Sequence, residues 1–262
     1  MEKMVSELGR LTVHGVQLEV VDRGHGRPIV LLHGEDGLDP NAPFLDSLAA
    51  YGRLIAPSHP GFGHSPEADT VDSVDDLAYL YLDLLAELGL RDVVLLGYSL
   101  GGWIAAEVAM KCTGRVAKLV LVGPLGIKVG DRETRDIPDI FALPAAEIAR
   151  LQYHDPARAA VDYTALPDDT LTVIARNRQA TALYAWEPYF HNPKLRRRLR
   201  RISIPTLLVW GASDRFVTPG YYGVAYRDAI PGSRLEIIEG AGHFPHIETP
   251  EALAERVRAF LD

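Results

Sequence analysis

The residues best suited to chemistry in this 262-residue chain form the run Gly97-Tyr98-Ser99-Leu100-Gly101, a G-x-S-x-G pattern. It follows the apolar stretch Val93–Leu96 and opens a helical run that lasts to about Met110. A serine on a tight strand-to-helix turn is held in a strained backbone conformation, and glycines two residues to either side leave room for it. The helix N-terminus behind it favours negative charge that develops beside the serine. A serine hydroxyl is a weak nucleophile at neutral pH. Acyl chemistry at Ser99 therefore requires a base and a group that orients the base. The chain holds nine histidines and one cysteine, Cys112, and none has metal-ligand spacing, so no metal is expected. G-x-x-x-x-G-K-[ST] is absent and no G-x-G-x-x-G opens a helix after a strand, so no nucleotide loop and no cofactor are expected.

Those residues must be positioned by the elements around them. Leu11–Val13 and Val16–Val21 read as strands around His14-Gly15. Further short apolar strands read at Ile29–Leu32, Leu54–Ala56, Val93–Leu96, Lys118–Val122, Pro205–Trp210 and Leu235–Ile238. Between Ser73 and Leu88, the residues Val74, Leu77, Ala78, Tyr81, Leu84, Leu85 and Leu88 recur at steps of three and four, which predicts a helix. Ser73 with Asp76 three residues on reads as its N-cap, and Gly89 as its stop. Ala252–Leu261 reads as a closing helix. Strands alternating with helices predict an α/β fold with a mainly parallel sheet flanked by helices.

From Gly126 to Ile202 the strand pattern stops. Helical periods, prolines and the aromatics Tyr153, Tyr163, Tyr184, Trp186, Tyr189 and Phe190 take over. The stretch reads as an inserted helical cap over residues 126–201, with residues 1–125 and 202–262 forming one sheet core. Neither piece of that core is expected to fold alone.

Apolar residues at 47% and charged residues at 24% are ordinary for a globular chain. The net charge of −8 argues against a nucleic-acid partner. The basic run Lys194–Arg201 (KLRRRLRR) reads as the solvated face of one helix. The longest uncharged apolar-rich run, Val93–Ala106, is short of the ~20 residues a membrane-spanning helix needs. The opening MEKMVSELGR lacks a secretory apolar core, and a lone cysteine excludes an internal disulfide. A soluble, cytoplasmic protein with a small-molecule substrate is expected; on oligomeric state the sequence is silent.

Four segments, in order, carry a resemblance: VLLHG at Val30–Gly34, HPGFGHS at His59–Ser65, GYSLGG at Gly97–Gly102, and the closing pair LLVWGASDRFVTP and GAGHFPHIETP. From Leu11 to Leu261 the chain resembles the smaller, capped members of the α/β-hydrolase superfamily. The resemblance implies the order serine, acid, histidine. That makes Asp214, after the strand ending at Trp210, the acid, and His243, after the strand ending at Ile238, the base. All three would lie beyond strand carboxyl ends, where open α/β sheets bind ligands. Asp228 is a weaker rival within a helical stretch. The other position some members use for the acid reads Gly123-Pro124 here, with no carboxylate. His246 is the nearest rival base, but G-x-G-H selects His243. His33 is given a structural role near the oxyanion loop, and His59 and His64 a role in organising the backbone.

The resemblance also assigns the oxyanion donors to the backbone N–H groups of Leu100 and Glu35. At Glu35 this chain departs from a position that is commonly aromatic, aliphatic or glycine. With Asp36 and Asp39 it makes the loop HGEDGLD acidic. Glu35 is expected to point away from the site and pair with a neighbour. The alternative is that it selects a cationic or hydrogen-bond-donating substrate, or assists proton transfer. A serine nucleophile, where haloalkane dehalogenases and epoxide hydrolases of this fold use aspartate, implies acyl transfer. A carboxylesterase is the expectation. Carbon–carbon bond hydrolysis of the meta-cleavage-product type, lactone or lyase chemistry, and a ligand-binding receptor on the same fold are the alternatives. His33, Tyr98, Tyr184, Trp186, Tyr189 and Phe190 are candidates for the substrate pocket. Trp103 reads as helix–sheet packing, and Cys112 as an inert residue of the helix after the serine.

Overall fold

The computed structural model describes residues 8–111 and 114–262. The expected Cys112 helix position and the first seven residues lie outside them.

The apolar runs pair into one eight-stranded sheet. Its strands are β1 (Leu8–Val13), β2 (Val16–Arg23), β3 (Pro28–Leu32), β4 (Arg53–Pro57), β5 (Val93–Tyr98), β6 (Val116–Val122), β7 (Thr206–Gly211) and β8 (Arg234–Ile238). The order is β1-β2-β4-β3-β5-β6-β7-β8. β1 and β2 form a hairpin and β2 pairs antiparallel with β4; all the remaining pairs are parallel. Parallel interior strands are covered on both faces, which is why β5 and β7 are buried at every residue and read as unbroken apolar runs.

The helices in chain order are α1 (Pro43–Ala49), α2 (Val74–Glu87), α3 (Leu100–Lys111), α4 (Ala145–Gln152), α5 (Asp168–Ala185), α6 (Leu195–Arg198), α7 (Val224–Ala229), α8 (Pro245–Glu248) and α9 (Pro250–Leu261). Alternation along the strands divides the core in two. Ile29, Leu31, Val94, Leu96, Val120, Val122, Leu207 and Val209 pack with α1 and α9. Val30, Leu32, Leu95, Leu119, Leu121, Leu208 and Trp210 pack with α2, α3 and α7.

α2 begins where its sequence says: the Ser73 hydroxyl accepts the Asp76 N–H at 3.2 Å. It ends at Gly89, whose φ of 62° lets the Leu90 N–H reach back to the Leu85 carbonyl at 3.0 Å. The short helices α1, α7 and α8 have no counterpart in the sequence reading. Each spans only one or two turns, too few for a period to show, and depends on packing rather than propensity.

Between β6 and β7 the chain supplies α4, α5, α6 and short 3-10 turns, and no strand of the sheet. In the basic run, Leu195 and Leu199 are buried one turn apart while Arg196, Arg197, Arg200 and Arg201 are exposed. Among the described residues, no helix is long and apolar enough to cross a membrane.

Candidate active site

Ser99 lies between the end of β5 and the start of α3, with φ at 51°. A non-glycine residue in the left-handed region costs about 1–3 kcal/mol, so the neighbours must hold it there. Three backbone bonds do: the Ser99 N–H donates to Val122 O at 3.0 Å, and Ser99 O accepts from Trp103 N–H at 3.2 Å and Leu125 N–H at 3.1 Å. The flanking glycines are required by space. A Cβ on Gly101 would sit 2.0 Å from the Leu32 carbonyl oxygen, and one on Gly97 would sit 2.2 Å from that of Gly101.

β7 and β8 end beside this turn and deliver the next two side chains. His243 Nε2 is 2.8 Å from Ser99 Oγ, and His243 Nδ1 is 2.8 Å from Asp214 Oδ2. The other Asp214 oxygen accepts the N–H groups of Phe216 and Val217, each at 2.9 Å. A carboxylate facing Nδ1 holds the proton on that nitrogen and leaves Nε2 to accept from the serine. The imidazole is wedged edge-on between Phe216 and Phe244, at centroid distances of 5.0 and 4.9 Å. Gly123, at φ 49°, leaves room for it, since a Cβ there would meet the ring at 3.3 Å. All three side chains are buried. Burial alone would lower the His243 pKa, but the Asp214 charge and hydrogen bond, helped by Glu35 and Asp36, outweigh it and raise the pKa above its ordinary value.

The rivals stand elsewhere. His246 stacks on Tyr98 at 3.9 Å, its buried Nδ1 has no partner, and burial with the His243 charge pushes it down to about 3. His33 and His59 lock two loops together. His59 N–H donates to His33 Nε2 at 2.9 Å, His59 Nε2 bonds His33 O at 3.0 Å, and His59 Nδ1 bonds Tyr81 Oη. Burial lowers His33 to about 4. His64 is exposed, near Asp169. Asp228 is exposed and pairs with Arg227.

The Glu35 loop leans on the serine. A Cβ on Gly34 would lie 3.1 Å from that of Ser99. Among the described residues, neither the Glu35 N–H nor the Leu100 N–H donates to another protein group. Glu35 is where expectation fails. Its side chain points into the site, 3% exposed, with Oε1 3.9 Å from His243 Nε2 and 3.3 Å from the Gln152 amide nitrogen; Oε2 is buried without a partner. The reason is tertiary. α5 holds two of the loop's carbonyls and so fixes the backbone from which the side chain projects. The Thr181 hydroxyl proton is shared between the carbonyls of Glu35 (2.9 Å) and Asn177 (2.8 Å), and Asn177 Nδ2 donates to Asp36 O at 2.6 Å.

Gln152, Asn177, Thr181 and Glu248 are contributors the sequence reading missed. Gln152 O accepts the His243 N–H at 2.5 Å, and Glu248 Oε2 accepts the Gly242 N–H at 2.7 Å, so both fix the histidine loop. A signal existed for one pair: Asn177 and Thr181 are polar residues four apart on the same face as Ala180, Tyr184 and Ala185.

The structure places the pocket candidates as follows. Tyr184 Oη donates to backbone carbonyls of Pro60 and Val71 and its ring stacks on Phe62. Tyr189 Oη accepts the Ile140 N–H and donates to Pro138 O. Trp186 is 53% exposed and rests edge-on against Phe141. Tyr98 Oη reaches Gly37 O at 3.4 Å. These side chains, like His33, have found partners in packing and loop bracing. Phe190 meets Phe216, which in turn meets the His243 ring.

A mostly parallel sheet bearing a Ser–His–Asp chain at its carboxyl edge defines the α/β-hydrolase class of protein. The chain belongs to the alpha/beta hydrolase family, whose match covers residues 29–256. It is 29% identical to a 2-hydroxy-6-oxononadienedioate/2-hydroxy-6-oxononatrienedioate hydrolase of Escherichia coli K12, over 92% of this chain and 89% of that protein. It is 27% identical to a 2-hydroxymuconate semialdehyde hydrolase of Pseudomonas putida, over 97% and 94%. The solved naproxen esterase (carboxylesterase NP) of Bacillus subtilis superposes with a TM-score of 0.77 at 20% identity, covering 98% of this chain and 92% of that one.

Proposed function

We propose that this protein is a serine hydrolase that cleaves a small carboxylic ester through an acyl-enzyme, with residues 126–201 acting as its cap. The observation that carries the reading is the unbroken chain Ser99 Oγ–His243–Asp214, with each link at 2.8 Å, beside two backbone N–H groups that have no acceptor among the described residues. Ser99 attacks the carbonyl as His243 Nε2 takes its proton. Asp214 holds the imidazole and stabilises the imidazolium. The Glu35 and Leu100 N–H groups receive the oxyanion. His243 then returns the proton to the leaving alcohol, and water, deprotonated by the same nitrogen, releases the acid. The substrate is a small molecule and the protein acts in the cytoplasm. Ser99→Ala should abolish hydrolysis of a short p-nitrophenyl ester, by about 10³-fold or more, with an unchanged circular dichroism spectrum. A Ser99→Ala enzyme with full activity would end the proposal.

Carbon–carbon bond hydrolysis is the second reading, supported by the names of the two curated relatives. The buried Glu35 carboxylate weighs against it, because it would repel a dicarboxylate dienoate brought to Ser99. Loss of colour from a vinylogous dienoic acid, faster than ester cleavage, would favour that reading.

A further inference from the structure

We propose that the Glu35 carboxylate is a recognition subsite for an ammonium group carried by the substrate beside its scissile bond. The inference rests on the serine-hydrolase reading and deepens it by naming a substrate class: esters of amino alcohols.

The first observation is an unmet bonding capacity. Glu35 is 3% exposed, and its Oε2 has no hydrogen-bond partner among the described residues. Its other oxygen has only a long 3.3 Å bond from the neutral Gln152 amide. Among the described residues, no Lys or Arg pairs with this carboxylate; the one titratable cation near it is His243 at 3.9 Å. A buried carboxylate left this way is costly unless something that binds there completes it. An ammonium group has N–H donors and the opposite charge, so it meets both deficits at once.

The second observation is position. His243 Nε2 is the atom that must protonate the leaving oxygen, and Glu35 Oε1 lies 3.9 Å from it. A leaving oxygen at hydrogen-bond distance from Nε2 therefore has the carboxylate as a neighbour. The ammonium nitrogen is placed two carbons along the alcohol chain, against the Glu35 carboxylate. The carboxylate belongs to the same residue whose N–H faces the oxyanion, so one residue registers both ends of the reacting group.

The third observation is the sign of the local field. Against burial, and behind the larger effect of Asp214, Glu35 and Asp36 help raise the His243 pKa, and after burial they are the next causes that push the Tyr98 and Tyr153 phenols up. An anionic alcohol portion meets the same field with the wrong sign. Asn177 and Thr181 bond two carbonyls of the loop HGEDGLD, which ties the subsite's backbone to α5.

The test is a charge series of matched butyrate esters followed by acid release: 2-(dimethylammonio)ethyl, the near-isosteric 3-methylbutyl, and 2-carboxyethyl. The wild-type enzyme should show kcat/KM about tenfold higher for the ammonium ester than for the neutral one, and about tenfold lower again for the anionic one. Glu35→Gln should compress the ammonium-to-neutral ratio to within about threefold, whatever its absolute rate. Labelling of Ser99 by a neutral fluorophosphonate, read by intact mass, reports the nucleophile separately. A labelled wild type with equal rates on all three esters overturns the subsite and leaves the hydrolase reading standing. So does a preference that survives in Glu35→Gln. A Ser99 that takes no label, with no ester cleaved, overturns both. If Glu35→Gln fails to fold, Glu35→Ala takes its place in the series, and equal wild-type rates on all three esters overturn the subsite in either case.

Discussion

Asp214→Asn changes one atom, and its consequence can be worked from the hydrogen bonds. Asp214 Oδ1 accepts two backbone N–H groups, from Phe216 and Val217, each at 2.9 Å, while Oδ2 faces His243 Nδ1 at 2.8 Å. An amide has one oxygen to offer. Turning its NH2 toward the two backbone donors would leave both unsatisfied in a buried loop, at about 1–3 kcal/mol each. The amide oxygen therefore stays on the backbone, and the NH2 faces His243. Nδ1 must then accept, which moves the imidazole proton to Nε2. In that tautomer Nε2 cannot take the serine proton. The expected loss in kcat is about 10⁴-fold, equivalent to about 5–6 kcal/mol of barrier, with little change in KM or melting temperature because the packing is retained. The assay is steady-state hydrolysis of the ester used for Ser99→Ala, with thermal unfolding run alongside. Activity within tenfold of wild type, at unchanged stability, would refute this account of how the acid acts.

The remaining expectations concern pH and space. The acidic limb of kcat/KM should titrate above 6.5, because Asp214 and then Glu35 outweigh burial and raise the His243 pKa, and the neutral base is required; Glu35→Gln should move that limb to lower pH. Three buried histidines are depressed, His33 to about 4, His246 to about 3 and His59 well below its ordinary value. Between those values and 6.5 the unfolded chain binds protons that the folded chain does not. Their contribution is thus complete above about pH 6.5 and falls as pH drops, by up to about 1.4 kcal/mol per pH unit per histidine, offset in part by Asp36, which burial and then the Glu35 charge push up to about 7; melting curves from pH 7.5 to 5 would reveal the net fall. Gly101→Ala should fail to give folded protein, judged by soluble yield, since its Cβ would sit 2.0 Å from the Leu32 carbonyl oxygen and both are backbone-fixed.

What the amino-acid order determined by itself is local. The apolar runs became β5 and β7 because interior parallel strands are buried on both faces, and the Ser73–Gly89 helix kept its written start and stop because capping is settled within a few residues. The strained turn at Ser99 was legible for the same reason: glycines at 97 and 101 are a demand of the backbone within that turn. The assignment of Asp214 and His243 rests on the family resemblance, and in the structure His243 meets Ser99, 144 residues away, and Asp214, 29 residues away. Direction was another matter. That Glu35 turns inward, that Tyr184 and Tyr189 spend their hydroxyls on loop carbonyls, and that Gln152, Asn177 and Thr181 brace the site were all decided by segments far apart in sequence. Periodicity tells which face of an element is buried, but the atoms a buried polar group will meet depend on what packs there. Only the tertiary structure fixes that, and here it turned an acidic loop residue into the most distinctive group of the site.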